Sequence, residues 1–125
     1  MLKKIALAVS AVAVTAAVSF GAAGTNTFQD ISTIDGINFK TSSKVVVGYK
    51  NDGITSGPQK YTITAKHLSG DTIYATSNLS TAIYKITDSV YMGHPLSEYF
   101  SAAPVTGLNA GETVFTNAAA GYQTM

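Results

Sequence analysis

Between residues 44 and 87 the chain contains four short segments rich in β-branched and aromatic residues, and clusters of turn-forming residues separate them. Segments of this length and composition, bounded by Gly, Asn, Asp, Ser and Pro, predict β-strands. Because consecutive strands with short connections usually pair with each other, we expect a mainly β fold with an antiparallel meander of about four or more strands. The predicted strands are residues 44–50, 60–66, 72–76 and 81–87.

The second predicted strand alternates between two kinds of side chain. Tyr61, Ile63 and Ala65 fall on one side of an extended chain, whereas its threonines and lysines fall on the other. This period of two predicts a half-buried strand, so we expect an apolar face turned inward and a Thr/Lys face turned to solvent. The apolar sheet face predicted in this way comprises Tyr61, Ile63, Ala65, Ile73 and Ile83.

The flanking segments predict further short elements. Residues 28–31 and 36–40 have the composition of short strands, and residues 112–116 that of a last strand. Residues 96–102 favour a helical turn or two, and the small polar tail from residue 117 predicts a loose end. No long helical apolar stripe follows residue 24, so these flanks or another chain must cover the apolar face.

The first residues have the layout of a secretory signal peptide. Lys3 and Lys4 are followed by an uncharged apolar run over residues 5–20 and then by small residues over 21–24. We therefore expect a cleavable signal helix over residues 1–23, export to the periplasm, and a β-rich globular domain over residues 24–125. The apolar run is shorter than the ~20 residues of a membrane-spanning helix, so no membrane span is expected after cleavage, although a retained anchor is the alternative.

Composition excludes several classes of partner and cofactor. The chain has no cysteine, which excludes thiolate metal sites and covalent c-type haem attachment. It has no arginine, and residues 24–125 carry six lysines against seven acidic residues, a net charge of −1. Without a basic patch, nucleic acid is not an expected partner.

Three residue types of a hydrolase triad, His67, Ser69 and Asp71, lie close together in one predicted connection. A triad needs a base held between nucleophile and carboxylate on a rigid frame, usually by residues distant in sequence. We interpret these residues as turn-forming instead. We expect no catalytic residues, and hence no enzyme.

The other motifs predict no metal or cofactor site. Neither His67 nor His94 has a ligand two or four residues later that forms a known metal-binding pair. Asn51, Asp52 and Gly53 lack the alternating oxygen ligands of a calcium loop and predict a turn. Four tyrosines fall on the four predicted strands, which favours either cross-strand packing or a surface that binds a sugar or a protein.

The second hairpin resembles a known family. Lys66-His67, Ser69-Gly70-Asp71 and Tyr74 make a strand, a Lys-His-x-x-Gly-Asp connection and a return strand, and Val45–Tyr49 with the turn at Asn51 precedes them. This stretch is similar to the geopilin domain 2 family, the globular chain of a split type IV pilin of Geobacter-type bacteria. The resemblance covers residues 44–84 and rests mainly on the hairpin.

The resemblance implies a structural role. In that family a short chain supplies the N-terminal pilin helix and a second, exported chain supplies the β-rich head, with no catalytic residues. The present chain lacks the prepilin pattern of Gly followed by Phe-Thr-Leu-x-Glu, because Ala22 follows Gly21. The implied partners are a short pilin helix chain, docked on the predicted apolar face, and neighbouring filament subunits. The alternative is a free periplasmic or secreted β-domain that binds carbohydrate or protein through surface tyrosines.

Overall fold

The computed structural model describes residues 26–34, 38–54, 57–115 and 121–125. Within them, the strands form one sheet in which chain order and spatial order are the same, and every neighbouring pair is antiparallel. This confirms the predicted mainly β meander. The strands are β1 (Gln29–Asp30), β2 (Val45–Asn51), β3 (Tyr61–His67), β4 (Thr72–Ser77), β5 (Tyr84–Thr87) and β6 (Gln123–Thr124).

The four central strands agree closely with the sequence prediction, and so does the short strand near residue 29. Short 3-10 helices lie at Ile31–Thr33, Ser89–Tyr91 and Leu96–Tyr99, the last of them inside the predicted helical turn. The prediction of a loose tail was wrong for residues 121–125, where β6 pairs with β5, and residues 117–120 lie outside the described part of the chain. The predicted signal, residues 1–23, lies outside the described residues.

Two other predicted strands were wrong where the structure can be compared with them. Residues 38–40 and 112–115 are not in strands, and the remaining residues of those two segments lie outside the described part of the chain. Residues 112–115 belong instead to an irregular connection that begins after β5. Of their two apolar members, Val114 is exposed and Phe115 is fully buried, so the hydrophobicity of Phe115 reflects a place in the core rather than in the sheet.

Strand register divides the sheet side chains between two faces, since residues directly opposite each other share a face. Val47, Ala65 and Tyr74 are successive partners across β2, β3 and β4 and define what we call the open face. Thr64, Ala75 and Tyr84 are successive partners on the other side, which we call the core face.

The irregular connection of residues 88–115 covers the core face. Its apolar side chains pack on those of β4 and β5, and Tyr84 and Phe115 place their ring centroids 4.9 Å apart. The sheet therefore gains its cover from a connection that has no long helix among its described residues. The core cluster comprises Phe28, Ile73, Ala75, Tyr84, Ile86, Tyr91, Leu96, Val105, Leu108, Phe115 and Tyr122.

The expectation that the Thr/Lys face of β3 points to solvent was wrong. Thr62 and Thr64 are fully buried and Lys66 is 2% exposed, all on the core face. The physical reason is that an irregular cover has backbone groups that need partners. The Thr62 hydroxyl donates to the carbonyl oxygen of Asn109 at 2.6 Å and accepts from the backbone N–H of Gly111 at 3.1 Å.

A second, smaller cluster covers part of the open face. Ile31 and Ile34 are buried against Val47, next to the half-buried side chains of Ile63 and Ala65. The 3-10 helix that carries Ile31 is capped by Asp30, whose side chain accepts from the N–H of Ser32 at 2.9 Å. The β2 end of the open face is thus covered, whereas the β4 and β5 end is more exposed.

Candidate functional site: a half-open apolar sheet face

Four of the five predicted interface residues lie on the open face. Ile63 and Ala65 are half-buried, Tyr61 is 37% exposed and Ile83 is 50% exposed. Ile63, Ala65 and Ile83 line a shallow groove of about 200 Å³ across β3, β4 and the start of β5. A groove of this shape can receive side chains from another surface, but it is too small to enclose a drug-sized ligand.

The fifth predicted residue, Ile73, does not belong to this surface. Its side chain is fully buried on the core face, where Ile86 is its partner on β5. The prediction assigned Ile73 and Ala65 to one face, but Ala65 pairs with Tyr74. A shift of one residue in register exchanges the two faces of a strand, so the assignment depended on a register that β4 alone does not fix.

The sequence prediction omitted Tyr74, which also belongs to the open face. Tyr74 is 41% exposed and lines the groove between Ala65 and Ile83. The signal was present in β4, where alternation places Tyr74 on the face opposite to Ile73 and Ala75. Pairing this alternation with that of β3 gives the observed open face.

An aromatic pair extends the open face toward β2. The rings of Tyr49 and Tyr61 stack with their centroids 5.9 Å apart. Burial raises the pKa of Tyr49 above its usual value, against a hydrogen bond with Asn51 that lowers it, so its phenol is neutral at physiological pH. The stacked pair offers ring surface that suits contact with either a protein side chain or a sugar ring.

The residues His67, Ser69 and Asp71 form turn contacts. The Nδ1 atom of His67 accepts from the backbone N–H of Ser69 at 3.2 Å and lies 2.9 Å from the Ser69 hydroxyl. Asp71 accepts from the Thr72 hydroxyl at 2.9 Å. The Asp71 carboxylate thus contacts its neighbour at the start of β4. These contacts do not place His67 between a nucleophile and a carboxylate, as a triad requires.

The remaining polar motifs also have local partners. His94 and Glu98 form an exposed pair at 3.0 Å. Although partial desolvation opposes it, hydrogen bonds from the backbone N–H groups of Ile54, Gln59 and Lys60 lower the pKa of Asp52. These bonds match the predicted turn rather than a calcium loop. Across the described ranges, no group of three His, Asp or Glu side chains is placed to hold a metal ion.

No protein-family model matches the chain, and the search of curated proteins finds no match. Within residues 26–34, 38–54, 57–115 and 121–125, no helix has both the length and the apolar character to cross a membrane.

Proposed function

We propose that the chain is a structural subunit, the β-rich head of a type IV pilus-like filament, and that it docks on a helix of a separate short pilin chain. The observation that carries this proposal is the open face, where Tyr61, Tyr74 and Ile83 remain between 37% and 50% exposed beside a groove. A cluster of exposed apolar side chains on one surface favours a protein partner.

An apolar helix fits this surface in shape and chemistry. Its side chains at positions i, i+3 and i+4 would enter the groove between Ala65, Tyr74 and Ile83. Stable protein interfaces bury at least ~1,000 Å² in total, so the contact extends beyond the groove, along the open face toward the Tyr49–Tyr61 pair. Among the described residues, Ile31 and Ile34 cover the β2 end of this face, whereas Tyr61, Tyr74 and Ile83 stay exposed.

Export belongs to the same proposal. Residues 1–23 act as a cleavable signal, after which the β-rich domain meets its pilin partner in the periplasm and enters the extracellular filament beside neighbouring subunits. N-terminal sequencing of the mature protein tests the first step, and we expect a start shortly after Gly21 or Ala23. A mature protein that retains residues 1–20 contradicts export by signal cleavage.

The filament role is tested by placing a photo-crosslinking residue at position 83 in the native host. We expect the chain in the sheared surface-filament fraction, crosslinked to a short helical pilin that mass spectrometry identifies. Ile83→Lys should remove the chain from filaments, because it places a charge beside the groove. Leu79→Lys is the matched control, since Leu79 is 47% exposed and does not line the groove.

Two results contradict the filament proposal. The first is a chain that stays outside the filament fraction, as a monomer, in both wild type and variants. The second is equal incorporation of the Ile83→Lys and Leu79→Lys variants.

The second candidate function is a free periplasmic or secreted β-domain that binds carbohydrate or protein. It is favoured by Tyr61 and Tyr74, which are exposed on one face, and by the ring of Tyr49, which stacks on that of Tyr61. NMR titration with oligosaccharides tests it. Saturable shifts at Tyr61 and Tyr74 that Tyr74→Ala abolishes support this role, and the absence of shifts contradicts sugar binding.

A further inference from the structure

A second concave region lies at the end of the sheet, away from the groove on the open face. It has a volume of about 480 Å³, within the range of small-molecule sites. Its apolar walls come from the start of β2, from the connection before it, from the turn after β3 and from the segment that opens the third 3-10 helix. They comprise Phe39, Val45, Val46, Leu68, Pro95 and Leu96.

One wall of this cavity is a buried lysine. The side chain of Lys66 is 2% exposed and lines the cavity from the core face of β3. Its ammonium donates to the carbonyl oxygens of His67 at 2.9 Å and Leu68 at 3.2 Å. An ammonium has three N–H donors, so one donor remains, and no acceptor among the described residues takes it.

The charge of Lys66 lacks a contacting counter-ion within the described chain. Burial lowers the pKa of Lys66, and the carboxylates of Asp71 and Glu98 oppose this only from a distance. Lys40 and Lys44 also line the cavity, so three of the lysines gather around one space. A buried cation at a cavity with partly apolar walls is stabilised by an anion that enters the cavity, because its desolvation is then compensated.

The geometry points to a binding site for a small carboxylate with an apolar body, held by the Lys66 ammonium. The carboxylate accepts the remaining N–H of Lys66 in a charge-assisted hydrogen bond, and the apolar body fills the space beside Val46, Leu68 and Leu96. A carboxylate with an apolar body matches both the free N–H of Lys66 and the apolar part of the lining, whereas inorganic phosphate has no apolar part to fill that space. This inference is independent of the proposed docking on the open face.

Titration of the purified chain with three probes tests the inference. Octanoate has the carboxylate and the apolar body, octanol has only the body, and inorganic phosphate has only the anion. We expect saturable binding of octanoate, with amide NMR shifts at Val46, Leu68 and Leu96, and affinities for octanol and phosphate at least tenfold weaker. Equal affinity for octanoate and octanol, equal affinity for octanoate and phosphate, or no octanoate binding overturns the inference.

A pair of lysine variants assigns the binding to the buried ammonium. Lys66→Met keeps the length of the side chain without its charge, and we expect at least a tenfold loss of octanoate affinity. Lys60→Met is the control, because Lys60 is exposed and does not line the cavity, and its affinity should equal that of the wild type. Equal octanoate affinity of the two variants overturns the role of Lys66. If Lys66→Met does not fold, the three probes on the wild-type chain decide the matter.

Discussion

Two buried threonines of β3 differ at the scale of single atoms. Both are fully buried on the core face, but the Thr64 hydroxyl has no hydrogen-bond partner among the described residues, whereas the Thr62 hydroxyl has several. We predict that Thr64→Val raises the free energy of unfolding by about 1 kcal/mol, because it removes a buried hydroxyl that makes no bond. Urea unfolding of the two proteins measures the change.

Thr62→Val is the matched control on the same strand. It leaves the carbonyl oxygen of Asn109 and the backbone N–H groups of Gly111 and Glu112 without the hydroxyl that now serves them. The expected effect is a loss of about 1–3 kcal/mol of stability. Equal effects of the two substitutions contradict the assignment of distinct roles to the two hydroxyls.

Tyr122 links stability to alkaline pH. Its ring is 2% exposed, its hydroxyl donates to the carbonyl oxygen of Pro104 at 3.2 Å, and burial raises its pKa well above the ordinary value of 10.0. A raised folded-state pKa gives stability that is present below the unfolded pKa and is lost as pH rises above it. At pH 7 the free energy of unfolding of the wild type should exceed that of Tyr122→Phe by about 1 kcal/mol, because the variant lacks this hydrogen bond.

That advantage should fall by about 1.4 kcal/mol for each pH unit above 10. Urea unfolding of both proteins at pH 7, 9, 10 and 11 measures it, and the use of a difference cancels the other titrating tyrosines. A difference that stays constant over this range contradicts the buried, neutral phenol.

At the level of the strand, β4 and the start of β5 show that two isoleucines of similar hydrophobicity have different roles. Ile73 is fully buried in the core, whereas Ile83 is 50% exposed on the open face. We predict that Ile73→Ala costs about 2–5 kcal/mol of stability, through lost burial and a cavity. Ile83→Ala should cost less than about 1 kcal/mol. Chemical denaturation measures both, and a larger loss for Ile83→Ala contradicts the face assignment.

The sequence predicted the strands because their signals are local. The alternation of β3 and the turn at Asn51 and Gly53 depend on neighbouring residues, and they appear where expected. The covered face of β3 was assigned wrongly, because a period of two shows that the faces differ and not which one meets the rest of the chain. β6 was missed because its pairing with β5 joins residues that are distant in sequence.

The prediction of the candidate site succeeded where it depended on local alternation and failed where it depended on contacts between strands. Ile63 and Ala65 were found because they alternate within one strand, whereas Ile73 was misplaced and Tyr74 was missed because their faces depend on the register between β3 and β4. Lys66 was predicted to face solvent but is buried. A lysine on a threonine-rich face favours solvent, and only the fold of the irregular connection buries it.

At the scale of the whole molecule, residues 122–125 complete one edge of the sheet and part of the core. Tyr122 fills the core cluster, Tyr84 of β5 is the partner of Thr124, and the backbone N–H of Met125 donates to the carbonyl oxygen of Ile83 at 3.0 Å. We predict that a chain ending at residue 121 loses about 3–5 kcal/mol, the range for removing a large aromatic side chain from a core. The urea midpoint measures this loss, and Met125→Ala, at a 68% exposed side chain, is the control.

The same truncation should affect the open face. Without β6, the edge of β5 has unpaired backbone groups, and such an edge promotes association between chains. Because Ile83 leads directly into β5, its position beside the groove depends on that pairing. We therefore expect the truncated chain to aggregate on size-exclusion chromatography and to fail in filament incorporation, whereas Met125→Ala behaves as wild type. A truncated chain that remains monomeric and stable contradicts the role of β6 in protecting the edge of β5. It also shows that the open face does not depend on residues 122–125.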